Sequence, residues 1–176
     1  FYAAAVAACD AAEIFVSRYG TACLEKAKTC TDETRRQELE QMADSLFWIS
    51  KNPCRHYWEA CQQAILYQHL LKISHIGDSG SFGRFDQYTW PYLRADLESG
   101  YVTREQAQEI TDAFFLKINS MYTGGNPQLI QITGLGNTYL HTTLGGVDPE
   151  TGRDASNPVT YMALESVGRL RLHDPT

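Results

Sequence analysis

Ala107, Ile110, Phe114, Ile118 and Met121 recur at intervals of three and four residues. That spacing puts all five on one face of an α-helix. It does not suit a half-buried strand, whose side chains alternate at a period of two. The same period runs through Leu39, Met42, Leu46 and Ile49, and through Trp58, Cys61 and Ile65, with Leu66 beside them. Helices are therefore predicted over 32–50 and 54–74, after an alanine-rich helix over 1–29. Asn52-Pro53 restarts the chain, with Pro at a first helical position. A shorter helix is predicted over roughly 88–99, ending at Gly100. Thr103 and Gln106 stand as a capping box for the helix that follows.

After Tyr122 the pattern changes. TGGNPQ is rich in turn residues, and LIQITG and NTYLHTTLGG are β-rich with alternating character. One or two strands are expected, confined to roughly 127–145. VDPETGRDASNP is a turn cluster. Asn157 then caps, and Pro158 opens, a last helix to about residue 171. With 176 residues the chain suffices for one domain with a real core, and no internal repeat is visible. The expected architecture is mostly α-helical with this single β region.

The apolar fraction of 43% excludes a disordered class. Net charge is −6, with acids and bases interspersed and no basic stripe, which argues against a nucleic-acid partner. No apolar run approaches the roughly 20 residues of a membrane helix. The first residues, FYAAAVAACDAAEIF, have no basic region before them and do not read as a signal peptide. The chain begins mid-helix without Met and stops at HDPT, as expected of a slice of something longer. Its five cysteines include no CxxC pair. Cys54 and Cys61 lie about 10 Å apart along one predicted helix, too far for a disulfide within it. Reduced, buried thiols in a cytoplasmic protein are the expectation.

Chemistry concentrates in residues 77–93, GDSGSFGRFDQYTWPYL. The P-loop and dinucleotide patterns both need residues that are absent here. The histidines at 56, 69, 75, 141 and 173 show no metal-binding i, i+4 pair, so no metal is expected. His75 stands just before this stretch as a candidate polar contact, against its reading as an ordinary imidazole. Asp78 and Ser79 lie between Gly77 and Gly80, where the backbone is free to approach a ligand closely. A carboxylate there accepts a proton or orients an ammonium or hydroxyl group. An Asx-turn ending the preceding helix accounts for the same residues, and the two readings stand level. Arg84 and Asp86 read as an internal ion pair or a helix cap. Phe82, Phe85, Tyr88, Trp90 and Tyr92 read as core.

The segments SFGRFDQYTWPYLRADLESG, VTREQAQEITDAFFLKIN and TTLGGVDPETGRDASNPVTYMALESVGRLRL, in this order, resemble the glycyl radical enzymes of the pyruvate formate-lyase superfamily. The resemblance covers essentially residues 1–176 and only an internal slice of the longer family sequence. It implies an α/β fold, a ten-stranded barrel of two half-barrels surrounded by helices. Two opposed loops meet inside, one bearing a thiyl cysteine and the other a radical glycine. It also implies that an S-adenosylmethionine radical activase installs the glycyl radical. None of the five cysteines here stands in a Cys-Val-Glu-like context, and no Arg-Val-x-Gly-Tyr run occurs. Both motifs are expected downstream, so no radical-bearing catalytic residue lies in this chain, and it binds no cofactor of its own.

In family members the loop before GRFDQY reaches the substrate. Several dehydratases carry His-Ser where this chain has Asp78-Ser79. An acidic residue there is similar to the hydroxyproline dehydratase branch, where a carboxylate faces an amine. The resemblance also places Leu140 where many members present an aromatic to the substrate, with Thr142 or Thr143 nearby. The candidate substrate-binding set is therefore His75, Asp78, Ser79, Leu140 and Thr142. The implied parent is a cytoplasmic homodimer that eliminates water or an amine from a small polar organic substrate and is served by an activating enzyme. Acyl transfer to coenzyme A and decarboxylation of an arylacetate are alternatives within the family. A non-catalytic helical interaction module is the alternative outside it. Without either radical motif, the isolated chain is expected to be inactive. Electron paramagnetic resonance after incubation with an activase should show no protein glycyl radical, and a signal would overturn the slice reading.

Overall fold

The computed structural model describes residues 1–73, 80–121 and 140–172. They fall into two units, Phe1–Cys54 and Arg55–Thr176. The first unit is a hairpin of α1 (Tyr2–Thr29) and α2 (Glu33–Ile49). Asp32 starts α2 by accepting the Arg35 N–H at 3.1 Å, a side-chain cap on a donor that the first turn leaves orphaned. The seam between the helices holds Val16, Gly20 and Ala27 against Leu39, Ala43, Leu46 and Ile49. Glycine at position 20 keeps the helices close, since a Cβ there would sit 3.0 Å from the Phe47 ring. Three of the four stripe residues predicted for α2 are buried, while Met42 is half-buried.

The second unit follows the order α3 (Tyr57–Ile73), β1 (Gly80–Arg84), α4 (Phe85–Ser99), α5 (Arg104–Asn119), β2 (Leu140–Thr143) and α6 (Pro158–Leu170). The expected capping box forms at Thr103/Gln106, and the expected Asn157 cap forms as part of a second box with Thr160. Gly100 closes α4 in the left-handed conformation. The core centres on stacked aromatics. Phe85 lies face to face with Phe114 at 4.3 Å, and Phe82 and Phe115 meet Phe114 edge-on at 5.2 and 5.5 Å. Phe82 and Phe85 are thus core, as their pattern predicts, whereas Tyr88 is 41% exposed.

Three expectations need correction. Helix α3 starts at Tyr57 and not at Pro53. Its first turn is capped from a distant element, for Asp96 of α4 accepts the Tyr57 N–H at 2.7 Å and holds His56 Nδ1 at 2.8 Å. Glu59 meanwhile turns back to the Arg55 N–H at 2.6 Å. No local spacing encodes a cap supplied from some forty residues away. Second, β1 lies outside the 127–145 window. Gly80–Arg84 becomes a strand because it pairs, parallel, with β2. Helix α4 then begins at Phe85 directly behind it, and Pro91 falls inside that helix. Third, only Cys61 among the thiols is buried. Cys9 is exposed, and Cys23, Cys30 and Cys54 are half-buried. The predicted strand residues 127–139 lie outside the described residues.

Asp96→Ala should unmask how much that remote cap contributes. It strips a buried N–H of its acceptor and frees His56, so a loss of about 2–3 kcal/mol is expected in urea unfolding. Thr103→Ala, which removes an exposed cap, is expected to cost about 1 kcal/mol. Equal losses for the two would contradict the remote cap.

Candidate functional site

β1 and β2 run parallel, with Gly80 opposite Leu140, Ser81 opposite His141 and Arg84 opposite Thr143. Three steps on β1 thus face two on β2, so β1 carries one extra residue. Gly83 sits at the bulge with φ +63°, a conformation most side chains avoid, and its N–H donates to Ser81 Oγ at 3.0 Å. The bulge lies between the Ser81 and Arg84 pairs, and Arg84 then reaches the turn beyond β2.

That turn is Leu144-Gly145-Gly146. Gly145 and Gly146 have φ of +64° and +97°. A Cβ on Gly145 would also come within 3.0 Å of Ser156 Oγ. Both backbone polar groups of Gly145 are held by side chains of the GRFDQY stretch. The Arg84 guanidinium donates to the Gly145 carbonyl through Nη2 at 2.9 Å and Nε at 3.2 Å. The Gly145 N–H donates to Asp86 Oδ2 at 2.6 Å. Asp86 is fully buried in the first turn of α4, where the helix dipole favours a carboxylate. The same Oδ2 accepts the Thr160 hydroxyl, and the Asp86 carbonyl accepts Asn157 Nδ2 at 3.2 Å. Gln87 Nε2 donates to the Ala155 carbonyl at 2.8 Å, and the Ala155 N–H returns to the Gly146 carbonyl at 2.9 Å. Arg84 and Asp86 therefore form a clamp on one glycine, in place of the ion pair or cap that the sequence suggested.

Two buried oxygens near these strands, Asp86 Oδ1 and Thr142 Oγ1, have no hydrogen-bond partner among the described residues. Thr142 and Leu140 share one face of β2. Leu140 is fully buried within the aromatic core. His75, Asp78 and Ser79 lie outside the described residues, immediately before β1 in the chain. Elsewhere, Tyr57 bonds Thr111 Oγ1 at 2.8 Å, and burial pushes the phenols of Tyr57 and Tyr88 well up, so both stay neutral. Burial and then the charges of Lys117 and Lys72 lower the His69 pKa, so this ring adds no charge of its own to those cations near neutral pH. No group of three or more His, Cys, Asp or Glu side chains is placed to hold a metal among the described residues. Nor is any described helix long and apolar enough to cross a membrane.

The profile described as "Pyruvate formate lyase-like" matches residues 1–176. The chain belongs to this family. Among the curated relatives of this pyruvate formate lyase-like chain, the isethionate sulfite-lyase of Nitratidesulfovibrio vulgaris is 35% identical over 99% of the chain and 21% of its own length. The glycerol-bound structure of the B12-independent glycerol dehydratase from Clostridium butyricum superposes with a TM-score of 0.86 at 32% identity, over 95% of this chain and 21% of that one. A glycyl radical enzyme from Archaeoglobus fulgidus gives 0.84 at 32% identity, over 94% and 21%. The trans-4-hydroxy-L-proline dehydratase of Clostridioides difficile is also a relative, at 26% identity over 96% of this chain and 22% of its own. The chain thus spans about a fifth of the length of the relatives it matches, and the fold is that of a largely helical part of the glycyl radical enzyme barrel.

The clamp predicts an order among substitutions. Asp86→Ala leaves two buried donors unpaired and should cost roughly 2–4 kcal/mol in denaturant unfolding. Asp86→Asn keeps one acceptor oxygen and should lose less. Gly145→Ala should cost at least about 1–2 kcal/mol from its left-handed φ. Wild-type stability in Asp86→Ala would remove the clamp from the architecture.

Proposed function

We propose that the chain is an internal piece of a glycyl radical enzyme whose complete polypeptide eliminates a group such as water or an amine from a small polar organic substrate. The observation that carries this reading is the clamp itself. The stretches that resemble the family, GRFDQY, LGG and D-A-x-N-x-x-T, are the ones that bond to one another, at the ends of a parallel strand pair. This is the wiring expected where a barrel wall is held to its surrounding helices. In the complete enzyme a glycyl radical, installed by an S-adenosylmethionine radical activase, supplies the hydrogen-abstracting power through a cysteine thiyl.

The role of this chain in that reaction is to shape the substrate cavity. Asp78 and Ser79, with His75 close by in sequence, directly precede β1 and supply polar groups that orient the substrate. The Thr142 hydroxyl on β2, without a partner among the described residues, is a further polar contact. Leu140 backs it from within the core. The reading also takes the parent to be a cytoplasmic homodimer that docks its activating enzyme.

The test is made in the full-length protein. Asp78→Ala is expected to lower kcat/KM by at least about tenfold while the glycyl radical signal stays intact, since a buried polar group of the substrate loses its partner. Asp78→Asn separates charge from shape. With a cationic substrate it should be nearly as damaging as Ala, and with a hydroxyl contact alone it should recover part of the loss. Near-normal turnover by both variants would remove Asp78 from the site.

A further inference from the structure

We draw no further inference here: the strongest candidate, the outward face of α6 with its exposed Tyr161 and Leu164 beside the open backbone of Gly168, is an unpartnered apolar patch, and nothing in the structure shows what covers it.

Discussion

The grip on Gly145 is the interaction on which the second unit depends. Its N–H and its carbonyl are both claimed by side chains, those of Asp86 and Arg84. Such a grip needs a bare backbone in a left-handed turn, which glycine supplies. It also needs two side chains delivered at one point from a strand end and a helix start. The bulge at Gly83 makes that delivery possible, by inserting one residue before Arg84. From Asp86 the network then reaches Thr160 and Asn157, so the start of α6 is tied to the start of α4. One buried carboxylate thus joins a strand turn and two helix N-termini. Its cost in desolvation is offset by hydrogen bonds and by the dipole of α4.

This arrangement separates what marks the family from what would touch a substrate. The GRFDQY, LGG and D-A-x-N-x-x-T residues spend their polar groups on each other. They preserve the joint between strands and helices, and a reaction change elsewhere leaves that joint's demands unaltered. The diversity of the relatives fits this division, because a sulfite-lyase and a glycerol dehydratase align with one and the same segment. On the proposed reading, chemistry varies in residues such as Asp78 and Ser79, which directly precede β1 in the chain.

Much of the helical framework was legible beforehand. The stripes of α2 and α5, the capping box at Thr103, the cap at Asn157 and the stop at Gly100 are encoded within a few residues of each other, so local reading suffices. The start of α3 was misread because its cap, Asp96, arrives from another helix. Strand β1 was missed for a related reason. SFGR has no alternating pattern of its own, and only pairing with β2 makes it a strand. Of the candidate site, Leu140 and Thr142 were placed on the β2 strand that the alternation foretold. The core position of Leu140 depends on Phe82 and its aromatic neighbours, which no local spacing reveals.

The sequence by itself determined the family, the helix periods, most of the caps and the glycines of the turn, since each is written in residues close together in the chain. Only the tertiary structure decided what those glycines are for. Gly80 yields space to Gln68, Gly83 makes room for a bulge, and Gly145 offers both peptide groups to a clamp. The physical reason is that a glycine's lack of a side chain records only an absence. What fills the space beside Gly80, or bonds to the bared backbone of Gly145, comes from residues 12 to 61 positions away and is settled when the chain packs.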